Sequence, residues 1–232
     1  MTALHLFVTG TDMGVGKTYW SVALLRAATA RGLTAAGFKP VAAGAAKTAD
    51  GWRNDDALAL QRASLPPRAY AEINPICLPL AASPHLAARA AGITVQAQAL
   101  ANAMRAAVTQ TDVALVEGAG GWLAPLSDSE TVADLARAFG LPVLLVVGIR
   151  LGCLNHAQLT MRAILNCDLP VAGWIANEIA DDHQDLRAQV DYLSARFDQP
   201  PLAVCRRGVD RIALDQLSSA ALERLLHRCA SG

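Results

Sequence analysis

Ten consecutive residues near the start of the chain, Thr9-Gly10-Thr11-Asp12-Met13-Gly14-Val15-Gly16-Lys17-Thr18, have the types and spacing of a phosphate-binding loop. An apolar run, Leu4 to Val8, comes just before, and an Ala/Leu-rich helical pattern from Thr18 to about Ala30 follows. Glycines let a backbone close in on phosphate oxygens with its N–H groups pointing inward, and the open first turn of the next helix adds unpaired donors. Lys17 is then placed to reach β- and γ-phosphates, and the Thr18 hydroxyl to ligate Mg²⁺. The first glycine of the usual G-x4-G-K-T pattern falls on Thr11, with Gly10 one residue earlier. The competing reading is a glycine-rich turn with no ligand.

Other residues carry chemistry only if the fold gathers them. Lys39 stands before Pro40, which ends a short strand pattern over Thr34 to Phe38. Asp56 follows Asn54-Asp55 at a helix start. Glu117 ends the apolar run Val113 to Val116 and opens Gly118-Ala119-Gly120-Gly121. Asn177 closes a strand pattern over Val171 to Ile175. On one rim, two carboxylates, a threonine hydroxyl and ATP phosphates make a hard-oxygen site for Mg²⁺, and two lysines aimed at the same phosphates stabilise the charge that shifts during phosphoryl transfer. Each residue also has a plainer reading. Lys39 can be a solvated strand end, Glu117 an exposed loop acid, and Asp56 a partner of its own helix dipole. Asn177 can close a strand or read an adenine edge. No Ser/His/Asp or Cys/His arrangement points to a covalent nucleophile.

The elements that must position these residues alternate. Strand patterns at Leu4–Val8, Thr34–Phe38, Val113–Val116, Val143–Val147 and Val171–Ile175 are separated by helical ones, with Pro201–Val204 a possible last strand. That alternation predicts an α/β fold, a mostly parallel sheet with helices on both faces in three layers, and one domain over residues 1–232. Ligands then sit at the carboxyl ends of the strands. Val41 to Gly51 reads as a loop, and Leu65 to Pro84, with five prolines, as an irregular connection. Gly152 to Asn155 reads as a turn before a helix from about His156, and Gln184 to Phe197 and Leu214 to Leu226 as the last helices.

Composition removes several classes. The 232 residues are 53% apolar and 17% charged with zero formal net charge, so no basic face invites nucleic acid. The start lacks a basic segment ahead of an apolar one, so no signal peptide is expected, and the longest apolar run, Leu141 to Ile149, is too short to span a membrane. Five scattered cysteines form no C-x-x-C pair, which favours reduced thiols and a cytoplasmic location.

Taken together, these motifs resemble the ATP-dependent dethiobiotin synthetases. Gly10-Thr11-Asp12 through Gly16-Lys17-Thr18 resembles that family's G-T-D-x-x-V-G-K-T loop, and Lys39-Pro40-Val41-Ala42 its K-P-V motif. Arg53-Asn54-Asp55-Asp56-Ala57, Ser83-Pro84-His85, Val116-Glu117-Gly118-Ala119-Gly120-Gly121, Gly152-Cys153-Leu154-Asn155-His156 and Gly173-Trp174-Ile175-Ala176-Asn177 follow in the family's order. The resemblance covers about residues 4 to 177. It implies that 7,8-diaminononanoate takes up CO2 as a carbamate, that ATP phosphorylates the carbamate, and that the second amine closes the ureido ring, releasing phosphate and ADP. It further implies Lys39 and Lys17 as catalytic residues. Gly14, Val15, Gly16, Lys17, Thr18 and Tyr19, with Asp56, Glu117, Gly118, Ala119, Gly120 and Asn177, would bind MgATP. Thr18, Asp56 and Glu117 would ligate Mg²⁺. Thr11, Lys39 and Cys153, Leu154 and Asn155 would meet the substrate, the last three from across a homodimer interface. Ala43 stands where many family members carry Ser or Thr, and the stretch Pro201 to Gly208 differs from the family's Gly-x-x-Pro segment near the base. The runner-up is a P-loop switch ATPase, whose loop carries an early lysine where this chain has Asp12. An amidating ligase of the cobyrinic-acid type needs a glutaminase domain for which this sequence has no room. Lys39→Ala is expected to leave folding near intact and abolish ring closure.

Overall fold

Apolar runs that do not alternate are suited to a sheet buried on both faces. A computed structural model, which describes residues 3–180 and 185–230, shows six of them side by side. The chain opens with β1 (Leu4–Gly10) and α1 (Lys17–Thr29), then β2 (Ala35–Phe38). Three short strands, β3 (Val41–Ala43), β4 (Ala46–Thr48) and β5 (Gly51–Arg53), lead to α2 (Asp55–Ala63). The segment α3 (Tyr70–Ile73), β6 (Ile76–Leu78), α4 (Pro84–Ala90) and α5 (Ala97–Thr109) precedes β7 (Val113–Glu117). The second half runs α6 (Val132–Phe139), β8 (Val143–Ile149), α7 (Cys153–Leu165) and β9 (Val171–Glu178). It ends with α8 (Leu186–Phe197), β10 (Ala203–Cys205) and α9 (Arg211–Ala230).

The main sheet has the order β10-β9-β8-β1-β7-β2, and every neighbouring pair in it is parallel. Crossovers in such a sheet are right-handed, so the direction of travel decides the face. The step from β1 to β2 runs one way and carries α1; the steps β7 to β8, β8 to β9 and β9 to β10 run the other way and carry α6, α7 and α8. The contacts agree. α1 packs with α2 and α9, whereas α5 packs with α6 and α7 with α8. Both β7 and β8 are buried along their whole length, which is why their sequences show no period. Each large apolar side chain so enclosed contributes about 2 kcal/mol.

Three expectations need correction. Val41 to Gly51 is not all loop, because β3 pairs with β6 in parallel and β4 with β5 in an exposed hairpin. Leu65 to Pro84 contains α3 and β6. All these strands are too short for a periodic signal, and β3 and β6 pair across some 35 residues of chain. α7 starts at Cys153 instead of about His156, since Gly152 serves as its N-cap in the left-handed region (φ 88°) and offers no side-chain cap to recognise. The expected start of α8 at Gln184 lies outside the described residues. No helix among the described residues is long and apolar enough to cross a membrane.

Candidate active site

The loop after β1 is held from behind. Val15 is buried, its side chain wedged where a Cβ on Gly10 would stand 2.5 Å from it and one on Gly148 2.7 Å. Thr11 N–H donates to Val146 O (3.1 Å), and the Thr11 hydroxyl accepts from Gly148 N–H (3.3 Å). Asp12 accepts from Met13 N–H and pairs with Arg150 (2.8 Å). Gly16 is the N-cap of α1 with φ 95°, so the first turn keeps its donors open. Lys17 bends back across the loop, its Nζ donating to Asp12 O at 2.9 Å.

Glu117 forms the floor. Its relative exposure is 0%, and its carboxylate accepts from Thr18 Oγ1 (2.7 Å), Ser21 Oγ (3.0 Å) and Lys39 Nζ (2.6 Å). Lys39, 4% exposed, also donates to Asp56 Oδ2 at 3.1 Å. So Glu117 is no exposed loop acid and Lys39 no solvated strand end. Asn74 fixes the Lys39 backbone by donating to its carbonyl (2.6 Å). Asp56 arrives on α2, whose cap Asn54 accepts from Ala57 N–H and donates to Ala43 O (3.2 Å).

The electrostatics follow from burial and pairing. Burial depresses the Lys17 ammonium to about 8; Lys39 adds to the effect, and the nearby acids oppose it. Burial alone would also depress Lys39, but Glu117 and Asp56 outweigh it and hold this lysine above its ordinary value. Burial works to raise Asp56; the Lys39 charge and hydrogen bond prevail and keep it below the usual carboxylate range. Two carboxylates and a hydroxyl converge here with an ammonium already among them. That all-oxygen donor set suits Mg²⁺.

A cavity of about 590 Å³ lies in front of this cluster. Gly14, Gly16, Lys17, Thr18, Tyr19, Lys39, Asp56, Ala119 and Gly120 line it. Glu117 sits beneath it. Val15 and Thr11 brace the loop, and Gly118 is tied into the sheet, its N–H donating to Val8 O. Asn177 stands at the end of β9, bonded to Val15 O and Trp20 Nε1. Cys153, Leu154 and Asn155 begin α7 on the same sheet edge and do not line this cavity; the Cys153 thiol donates to Gln189 Oε1 (2.8 Å). Sequence reasoning missed Ser21, Asn74, Trp20 and Arg150. Ser21 lies one helical turn past Lys17, so the spacing alone offered it; the other three depend on contacts across the fold.

The sequence model of the family described as an AAA domain matches residues 5–206. The chain is 50% identical over 194 residues to the ATP-dependent dethiobiotin synthetase of Xanthomonas oryzae pv. oryzae, covering 84% of this chain and 87% of that one. It is 48% identical over 207 residues to the protein of the same name from Cellvibrio japonicus, covering 89% and 91%. Among solved structures, the septum site-determining protein MinD of Pyrococcus horikoshii superposes with a TM-score of 0.56 at 15% identity, over 98% of this chain and 96% of that one. A ParA family ATPase from Chlorobium tepidum gives 0.55 at 12% identity, over 98% and 99%. These last two share the fold.

Proposed function

This chain belongs to the ATP-dependent dethiobiotin synthetase family, and from that premise we propose how its residues perform the reaction. It is an ATP-dependent cyclo-ligase of biotin biosynthesis, closing 7,8-diaminononanoate and CO2 into dethiobiotin. In our reading a single domain over residues 1–232 carries the whole reaction. One amine adds to CO2 and loses a proton, leaving a carbamate. A carbamate oxygen then attacks the γ-phosphorus and ADP departs. The second amine attacks the carbamoyl carbon, expels phosphate and gives up a proton as the ring closes.

The observation that carries this reading is the pair of lysines on one cavity wall. Carbamate and γ-phosphate are both anions and repel. Lys17 from the loop and Lys39 from the end of β2 supply positive charge on a partly dry floor, where such charge acts most strongly. Lys17 and the backbone from Gly14 to Tyr19 hold the triphosphate, Ala119 and Gly120 flank it, and Asn177 receives the base. Thr18, Asp56 and Glu117 would hold Mg²⁺, which screens the triphosphate when bound. The substrate brings both nucleophiles, so positioning and charge are what the protein adds. Cys153, Leu154 and Asn155 open a helix, a ready anion site for the substrate carboxylate. Because they lie outside this cavity, we assign them to the cavity of a second copy, making the enzyme a homodimer. We also assign the enzyme to the cytoplasm, where the thiols of Cys77, Cys153, Cys167 and Cys205 would stay reduced.

The test is ring closure itself: dethiobiotin and ADP should form together from ATP, bicarbonate and 7,8-diaminononanoate. ATP turnover that ignored the diamine and responded to DNA or lipid would replace this reading with a switch ATPase.

A further inference from the structure

Trp20 is a buried indole whose polar edge is spent on one residue. It lies in the first turn of α1 with no exposed surface, and its Nε1–H donates to Asn177 Oδ1 at 3.2 Å. Asn177 Nδ2–H donates in turn to Val15 O at 2.9 Å. The strand on either side fixes its backbone, opposite Gly148 and Cys205. The amide is also pressed against the loop, since a Cβ on Gly16 would lie 2.4 Å from Nδ2.

We propose that Trp20 is a positioning residue for nucleotide selectivity: its N–H locks the Asn177 amide in one of its two orientations. A flipped amide would set NH2 against the indole N–H and oxygen against the Val15 carbonyl, donor facing donor and acceptor facing acceptor. In the locked state Oδ1 keeps a second lone pair and Nδ2 a second N–H. That acceptor and donor, in fixed order, match the 6-amino group and N7 of adenine. A 6-oxo purine keeps the N7 acceptor but sets O6, a second acceptor, against Oδ1 where adenine offers a donor. A phenylalanine would fill most of the space; the N–H is what packing leaves unexplained.

This rests on the proposal that Asn177 receives the base, and the experiment separates the two. Ring closure is measured with ATP and with GTP as sole nucleotide in the wild type, Trp20→Phe and Asn177→Ala. The expected result is a fall of about tenfold in the ATP:GTP ratio of kcat/KM for both variants. Equal losses with both nucleotides in Trp20→Phe overturn the lock. If Asn177→Ala then still shifts the ratio, base recognition by Asn177 survives; if neither variant shifts it, that reading falls as well. Should Trp20→Phe fail to fold, site-specific exchange of Trp20 for 3-benzothienylalanine removes the N–H at nearly constant shape and reads the same ratio.

Discussion

Glu117 is fully buried, and Thr18, Ser21 and Lys39 surround its carboxylate with donors. That changes what removing Lys39 should do. From the sequence, Lys39→Ala reads as a clean loss of function. In the fold, truncating Lys39 strands a fully buried carboxylate, a fault that costs about 3 kcal/mol or more. Lys39→Met should therefore lower stability by about 3 kcal/mol in denaturant titrations, with ring closure down by roughly a thousandfold. Lys39→Met/Glu117→Gln should regain much of the stability and none of the activity. Unchanged stability in the single variant would mean that Glu117 finds another partner. The Lys39 contribution is present below its unfolded value and is lost only as pH climbs through its raised folded value, so it covers the physiological range. Lys17 behaves oppositely. Burial, then Lys39, brings it to about 8, so its charged form costs stability below that pH. The cost eases as pH rises from about 8 toward the unfolded value of 10.5. Triphosphate should recharge it. At pH 8, ATP binding is expected to take up roughly half a proton, read by calorimetry in buffers of different ionisation enthalpy. Zero uptake would show a Lys17 already charged in the free protein. Lys17, Thr18, Lys39 and Glu117 were legible because each follows a strand pattern within a residue or a short loop. Trp20 and Asn74 were not, since their partners lie 157 and 35 residues away.

Elements decide how firmly those side chains are held. Asp56 owes its place to α2, and α2 is pinned by one amide: Asn54 caps it through Ala57 N–H and reaches back to Ala43 O at the end of β3. The backbone of Asn54 is held as well, its N–H donating to the Tyr70 hydroxyl at 2.8 Å. Asn54→Ala should cost about 1 kcal/mol in thermal or chemical denaturation, the ordinary value of a lost N-cap. It should also lower kcat/KM by several-fold as Asp56 loses its register with Lys39, whereas Asn54→Asp, which keeps the cap and loses the donor to Ala43, should recover the stability first. Activity unchanged in Asn54→Ala would show that Lys39 alone positions Asp56. The cap of α2 was readable, because Asn54-Asp55-Asp56 precedes an apolar helical run. The strands around it were not. β3 and β6 have three residues each and exist by pairing with one another, and β4 and β5 are largely exposed, so neither pair leaves a periodic trace. Gly152 at the start of α7 shows the same limit: a glycine at an N-cap acts through its backbone angles, and the sequence around it reads as a turn.

At the scale of the whole molecule, alternation of strand and helix gave the parallel sheet and the rim on which the site stands, but not the order β10-β9-β8-β1-β7-β2. That order depends on which strands meet across long connections. It matters, because β1 lies between β7 and β8 and so brings Glu117 and Arg150 to opposite sides of one loop. The likeness to MinD and ParA structures belongs to this scale alone, since function resides in residues set on the sheet. The surface makes one further demand. Met13, on the loop itself, is 76% exposed, and Leu123, Leu151 and Leu159 are also exposed although large and apolar. Leu151 lies just before α7 and Leu159 about two turns into it, near the stretch assigned to a second copy's cavity. Sedimentation equilibrium should accordingly find a dimer at micromolar concentration. Leu159→Glu should shift it toward monomer and raise KM for the diamine at least about tenfold, while ATP affinity, set within one protomer, moves much less. A monomeric wild type with full activity would remove the partner helix from the substrate site. A monomeric Leu159→Glu that kept its diamine KM would do the same, leaving the substrate carboxylate to be met within the protomer that binds the nucleotide.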